Sequence, residues 1–203
     1  MNELKRVSRT YAETPARWLG RLGLTPNALT VIGSLLTASV GVLIAQGWFV
    51  AAGVCLWLFS ATDTLDGALA RATGRVTVFG AFLDSVSDRY AEAAVFFGIA
   101  WYYQATVNPR GVALTYLALV GSLMVSYARA RAEGVGLQAA EVGWFQRPER
   151  IVLLGVGLLL TPFLPIALEL VLAALAILTT ITVLQRVRHV ARASGYNQPH
   201  TTP

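Results

Sequence analysis

The stretch from Leu22 to Thr62 contains no charged side chain, and this uncharged length limits what the chain can fold into. A helix needs roughly 20 mostly apolar residues to cross the hydrocarbon core of a bilayer, so the stretch is long enough for two crossings. The composition agrees, because 55% of the residues are hydrophobic and 13% are charged, whereas a soluble domain carries about 25% charged residues. The sequence therefore predicts an integral membrane protein.

Apolar segments along the rest of the chain predict a single all-α domain, a bundle of six transmembrane helices over residues 26–190. Pro26 suits the first turn of the first helix, and Thr25 can cap it. The predicted spans cover residues 26–46, 49–71, 79–103, 112–130, 149–162 and 165–187. Residues 1–22 combine apolar side chains at helical spacing with basic ones, which predicts an N-terminal interfacial amphipathic helix on the membrane surface. Residues 193–203 are polar and predicted to be disordered.

The basic residues predict how the bundle is oriented. With six spans both termini lie on one side, and that side holds every lysine and arginine except Arg110, which is 15 of the 16. Loops rich in lysine and arginine stay in the cytoplasm. We therefore expect a multi-pass protein of the cell (inner) membrane with both termini on the cytoplasmic side. Membrane lipids are expected partners, and nucleic acid is not.

All four aspartates lie where the second and third predicted spans reach the cytoplasm. Asp63 and Asp66 are three residues apart on one helix face, and Asp84 and Asp88 are four apart on the next helix. Because the connecting loop is short, these helices are antiparallel neighbours and the carboxylates can converge. Such charges at membrane depth need cations, and hard divalent ions take carboxylate oxygens as ligands. The pattern predicts two Mg²⁺ ions here, with Mn²⁺ as an alternative.

The residues beside the aspartates leave space for a bulky ligand. The small ones are Gly67, Ala68, Ala70, Gly74 and Gly80. Arg71 adds a positive charge suited to phosphate. Divalent ions, open space and an arginine together favour phosphoryl transfer. Ion pairs with nearby arginines would explain one of the aspartates, but four on two registered faces indicate a functional site.

One motif spans all four aspartates and reads Asp63-x2-Asp66-Gly67-x2-Ala70-Arg71-x8-Gly80-x3-Asp84-x3-Asp88. It resembles the complete signature of the CDP-alcohol phosphatidyltransferase family. The resemblance implies that an acceptor hydroxyl attacks the β-phosphate of CDP-diacylglycerol, with CMP as the leaving group. It also implies that the four aspartates hold the metal ions, that Asp88 is in addition the catalytic base, and that the enzyme is a homodimer.

The same resemblance implies contacts to the CDP-lipid. The segment TPNALT, at Thr25–Thr30, resembles the stretch that opens the first span in this family, near the nucleotide. The implied CDP-lipid-binding residues are Pro26, Asn27, Thr30, Asp66, Gly67, Ala70, Arg71, Thr77 and Gly80.

Arginines gather at the cytoplasmic ends of the last three predicted spans, in the segments SYARARAEG, QRPER and LQRVR. Arginine favours bidentate contacts with phosphate, so we expect a phosphorylated acceptor, although topology alone also places arginine there. The first two segments, with FGAFLDSVSDRYAEAAVFFGIAWYY, resemble the phosphatidylinositol phosphate synthases of actinobacteria, a branch of the family that uses inositol 1-phosphate. That resemblance implies an acceptor phosphate site made of Ser126, Arg129, Arg131, Arg147 and Arg186.

Other readings of the sequence stay open. Arg129 departs from that branch, where this position is often lysine, and residues 136–144 differ somewhat. The acceptor could instead be glycerol 3-phosphate, giving phosphatidylglycerophosphate, or another phosphorylated polyol, and the donor could be an archaeal-type lipid. A small cation transporter with the aspartates as a relay is an alternative of another class. Transporters often carry internal repeats, and this sequence shows none.

Overall fold

The computed structural model describes residues 24–137 and 142–194, and within these ranges the chain is helical without a strand. The helices are α1 (Pro26–Ala45), α2 (Phe49–Ser60), α3 (Thr62–Ala72), α4 (Val78–Ala105), α5 (Pro109–Gly134), α6 (Arg147–Leu160) and α7 (Ala167–Ala193). The prediction of an all-α membrane protein is confirmed. The predicted surface helix at residues 1–22 and most of the predicted disordered tail lie outside the described residues.

Four helical segments in the described ranges are long and apolar enough to cross a membrane. They are α1, the combined segment of α2 and α3, α5 and α7. Helix α4 is long, but charged residues occupy its first half, including both Asp84 and Asp88. Helix α6 has 14 residues, fewer than the roughly 20 that a span needs. The count of six spans therefore stays a prediction.

The observed helices extend beyond several predicted ends. Helix α5 begins at Pro109 rather than at residue 112, because Asn108 Oδ1 accepts a hydrogen bond from Gly111 N (2.9 Å) and caps it. Helix α7 continues to Ala193 rather than stopping at residue 187. Hydropathy marks where a chain leaves the bilayer, whereas capping and backbone hydrogen bonds decide where a helix ends.

Helices α1 and α4 make the most extensive helix-to-helix contact in the described bundle. A Cβ atom added at Gly98 of α4 would overlap the backbone oxygen of Gly41, and one added at Gly41 would overlap that of Ala94. Small residues at such crossings let membrane helices approach closely. The glycines therefore fix α4, which carries Asp84 and Asp88, directly against α1.

Gly98→Ala is expected to lower the free energy of unfolding by about 1–3 kcal/mol, the usual cost of overpacking a tight contact. The added methyl group would meet backbone rather than a flexible side chain, so α1 and α4 would have to move apart. Gly134→Ala is the matched control, because nothing lies within 4 Å of a Cβ atom added there. Thermal unfolding in detergent measures both, and an unchanged melting temperature for Gly98→Ala would contradict the packing.

Candidate active site

The starts of α1 and α4 meet beside α3. Thr25 Oγ1 accepts a hydrogen bond from Ala28 N (3.2 Å) and caps α1, and Thr77 Oγ1 accepts one from Gly80 N (2.9 Å) and caps α4. A Cβ atom added at Gly80 would lie 3.1 Å from Asn27 Oδ1. The missing side chain at position 80 therefore lets the capped ends of α1 and α4 come together.

Asp66 joins α3 to α1. Only 7% of its surface is exposed, and its carboxylate accepts hydrogen bonds from Thr30 Oγ1 (2.6 Å) and from Gly67 N (2.5 Å). A buried carboxylate needs such partners to offset its lost hydration. Gly33 brings α1 equally close to the start of α3, because a Cβ atom added there would overlap Thr62 Oγ1. The neighbouring Asp63 has a side chain outside the described part of the chain.

Arg71 lies over the small residues of α3. A Cβ atom added at Gly67 would be 3.3 Å from Arg71 Nη1, so the guanidinium borders the space that this glycine leaves open. The start of α1, helix α3 and the start of α4 carry all the residues predicted to contact the CDP-lipid. These residues are Pro26, Asn27, Thr30, Asp66, Gly67, Ala70, Arg71, Thr77 and Gly80.

Asp84 and Asp88 line a cavity of about 940 Å³ that α4, α5, α6 and α7 enclose. Asp88 is buried at 7% exposure, and Asp84 is half-buried. Five arginines line the same cavity. Four of them are called the arginine wall here, namely Arg89, Arg129, Arg147 and Arg186, whereas the guanidinium of the fifth, Arg150, is bonded to Glu92. Ser126, the serine of the predicted acceptor set, also lines the cavity, whereas Arg131 of that set is exposed on α5 and does not.

Arg147 pairs with the predicted base. Its Nη2 lies 2.8 Å from Asp88 Oδ1, and Arg89 Nη1 lies 3.7 Å from Asp88 Oδ2. Arg147 is the first residue of α6, where Gln146 and Glu149 form a capping box that fixes the start of the helix. Helix capping therefore fixes the backbone position from which Arg147 reaches the carboxylate of α4.

Arg186 differs from a freely exposed phosphate ligand. It is 2% exposed, its Nε donates to Val142 O (2.9 Å), and its Nη1 donates to Val125 O. These bonds tie α7 to α5 and to the segment before α6. A guanidinium has five N–H donors, so others remain for the cavity. Arg129 Nε donates to Glu133 Oε1 (2.9 Å) at the exposed rim.

A second ion pair beside Asp88 was missed by sequence reasoning. Arg150 donates from Nε to Glu92 Oε1 (3.0 Å) and from Nη2 to Glu92 Oε2 (3.2 Å). The sequence contains a partial signal for this ion pair. Glu92 follows Asp88 by four residues and Arg150 follows Arg147 by three, so the two residues in each case share one helix face. That signal indicates a shared face but not which arginine meets which carboxylate.

The donor chemistry of the site fits a hard divalent cation. Asp66, Asp84 and Asp88 offer carboxylate oxygens, which Mg²⁺ and Mn²⁺ prefer. As the side chains stand, the described residues contain no group of three or more His, Cys, Asp or Glu close enough to hold a metal ion. The Asp63 side chain is not among those residues, so the four-aspartate cluster for two ions stays a prediction.

Comparison with known proteins identifies the reaction class. The model of the family named CDP-alcohol phosphatidyltransferase matches residues 23–184. The phosphatidylinositol phosphate synthase of Mycobacterium tuberculosis (strain ATCC 25618 / H37Rv) is 40% identical over 201 residues, covering 95% of this chain and 91% of that protein. The archaetidylinositol phosphate synthase of Pyrococcus horikoshii is 39% identical over 184 residues, covering 91% of this chain and 88% of that protein.

Crystal structures of the Mycobacterium tuberculosis enzyme share the fold. The structure with CDP-DAG bound gives a TM-score of 0.84 at 34% identity, covering 94% of this chain and 98% of that one. The structure with manganese and citrate gives 0.82 at 34% identity, covering 95% and 92%. Its manganese confirms, for the family, the predicted divalent-metal cofactor, Mg²⁺ or Mn²⁺. The chain belongs to the CDP-alcohol phosphatidyltransferase family and is a membrane phosphotransferase of phospholipid synthesis.

Proposed function

We propose that this enzyme transfers the phosphatidyl group of CDP-diacylglycerol to inositol 1-phosphate, with phosphatidylinositol phosphate and CMP as products. The observation that carries the proposal is the cavity of about 940 Å³ in which Asp88 lies beside the arginine wall. A neutral alcohol has no need of several arginines, whereas phosphate pairs with guanidinium groups through two parallel hydrogen bonds. The names of the relatives add support, because both products contain inositol phosphate although their lipid parts differ.

The proposed donor site lies along the starts of α1 and α4 and the small residues of α3. Gly67 leaves room for a nucleotide close to the backbone of α3, because a Cβ atom added there would meet only Arg71, and Arg71 offers charge to the phosphates. A CDP-DAG complex of a relative with the same fold supports this donor class.

In the proposed reaction, Asp88 is the base. Its carboxylate lies on the wall of the acceptor cavity, where it can accept the proton of the attacking hydroxyl. Arg147 would hold the acceptor phosphate and so aim that hydroxyl at the donor. Ser126, Arg129 and the cavity-facing donors of Arg186 would complete the phosphate contacts, and the exposed Arg131 would add positive charge outside the cavity. Two divalent ions held by Asp63, Asp66, Asp84 and Asp88 would polarise the transferred phosphate.

We also propose that the end of the bundle with the arginine wall faces the cytoplasm of the cell membrane. The excess of lysine and arginine at that end supports this orientation. A homodimer in the membrane is the expected assembly.

An acceptor panel tests the proposal. Purified enzyme would receive radiolabelled CDP-diacylglycerol with inositol 1-phosphate, glycerol 3-phosphate, free inositol or serine in parallel. We expect a labelled lipid product with inositol 1-phosphate and none with free inositol, because only the former offers phosphate to the arginine wall. A faster reaction with glycerol 3-phosphate would show that glycerol 3-phosphate, rather than inositol 1-phosphate, is the acceptor. A chelator should stop the reaction, and Mg²⁺ or Mn²⁺ should restore it.

A further inference from the structure

Glu92 and Arg150 are buried charges beside the active site that the proposed reaction does not use directly. The Arg150 side chain is 3% exposed and that of Glu92 is 13% exposed. Two parallel hydrogen bonds of 3.0 and 3.2 Å join them. A buried ion pair of this kind seldom adds stability relative to apolar residues of the same size. Its position therefore calls for another explanation.

The ion pair of Glu92 and Arg150 lies next to the ion pair of Asp88 and Arg147. On α4, Glu92 lies one turn after Asp88, and on α6, Arg150 lies one turn after Arg147. Two ion pairs thus bridge α4 and α6 at successive turns, each joining a carboxylate of α4 to a guanidinium of α6. Asp88 also has Arg89 at 3.7 Å, and Glu92 lines one small cavity with both Arg147 and Arg150, so other pairings are available.

A small cavity of about 30 Å³ lies between three of these groups, and Glu92, Arg147 and Arg150 all line it. Because a buried charge without a partner is costly, a change in one group would draw the freed group toward another partner. An unpaired Arg150 would turn to Asp88, and an unpaired Glu92 would draw Arg147 away from the acceptor cavity.

We propose that Glu92 and Arg150 are positioning residues, whose mutual neutralisation reserves Arg147 for Asp88 and the acceptor phosphate. The inference rests on the proposed function, in which Arg147 binds that phosphate. By this inference, Glu92 and Arg150 affect the affinity for the acceptor although neither side chain contacts a substrate. Charge balance, rather than the mere presence of either side chain, is the property that matters.

The test is a double-mutant cycle in the full-length enzyme. Glu92→Gln leaves Arg150 unpaired, Arg150→Met leaves Glu92 unpaired, and the double variant Glu92→Gln/Arg150→Met removes both charges at similar volume. We expect each single variant to raise the KM for inositol 1-phosphate by about tenfold, and the double variant to return within about threefold of the native value. The KM for CDP-diacylglycerol should change by less than about twofold in all three.

Several outcomes would overturn the inference. A double variant with an acceptor KM as high as either single variant would show that charge balance is not the cause. Equal changes in the KM values of both substrates, or a lower melting temperature with an unchanged acceptor KM, would indicate a structural role only. If the native enzyme uses neither inositol 1-phosphate nor glycerol 3-phosphate, the proposed function fails and the inference fails with it. If the native enzyme uses the proposed acceptor but the single variants have an unchanged acceptor KM, the inference fails and the proposed function stands.

Arg150→Lys keeps the test decisive if a single variant cannot be purified. Lysine retains the charge that neutralises Glu92, although it cannot form two parallel bonds with it. We therefore expect Arg150→Lys to keep the acceptor KM within about threefold of the native value, as in the double variant. An acceptor KM well above that of the double variant would contradict the inference.

Discussion

Asp88→Asn is expected to reduce phosphatidyl transfer by at least about 10²–10⁴-fold, the usual contribution of a general base. Asparagine has nearly the same shape but cannot accept the hydroxyl proton, and its amide is a poorer ligand for a hard cation than a carboxylate. The carboxylate lost is the one that Arg147 contacts at 2.8 Å on the cavity wall. Release of labelled CMP under saturating substrates measures the effect.

The same variant should still bind the CDP-lipid. The proposed donor contacts lie on α1, on α3 and at the start of α4, and none of them needs the Asp88 side chain. Titration of the purified variant with a CDP-lipid analogue separates loss of chemistry from loss of folding, and we expect an affinity within about threefold of the native value. Retained turnover in Asp88→Asn would remove the assignment of Asp88 as the base.

The shared face of Asp84 and Asp88 was predictable because helix periodicity alone determines it. The two aspartates line one cavity as their spacing predicts, whereas the contact of Gly80 with Asn27 depends on how α4 packs against α1. The resemblance to the family added the roles of these residues, which periodicity does not contain. Uncharged length likewise predicted α1, α5 and α7, because the bilayer sets their composition.

The pairing of charges was not predictable from the same patterns. The sequence placed arginines at three helix ends, but only the packing of α6 on α4 decides that Arg150 meets Glu92 and Arg147 meets Asp88. The carbonyl contacts of Arg186 depend on how α7 packs against α5 and against the segment before α6. Contacts between distant segments produce no repeating pattern in a single sequence. A group of arginines at this end of the bundle could therefore be predicted, but the partner of each arginine could not.

The break between α2 and α3 has a local cause that hydropathy does not report. Thr62 Oγ1 donates a hydrogen bond to Phe59 O (2.5 Å), so a side chain satisfies a carbonyl at the break. Hydroxyl side chains compete with the helical backbone in this way. The break at Ala61 directly precedes α3, the helix that carries Asp66.

Arg147→Ala is expected to raise the KM for the phosphorylated acceptor by about 10–100-fold, which corresponds to the loss of a charge-assisted hydrogen bond worth about 1.5–3 kcal/mol. The KM for CDP-diacylglycerol should change little, because none of the residues proposed to contact the CDP-lipid lines the acceptor cavity with Arg147. Arg147→Lys should give an intermediate value, since lysine keeps the charge but lacks the planar fork. Initial rates at varied concentrations of each substrate measure both constants.

Arg110→Ala is the matched control for removing an arginine. Arg110 lies at the opposite end of the bundle, its side chain is 71% exposed, and its Nε is 3.4 Å from Glu169 Oε2. An exposed pair of this kind contributes about 0–1 kcal/mol to stability, so neither KM should move. If Arg147→Ala raised both KM values by the same factor, Arg147 would support the fold of the site rather than hold the acceptor phosphate. A change confined to the acceptor would instead link the arginine wall to substrate choice, because free inositol offers that wall no phosphate.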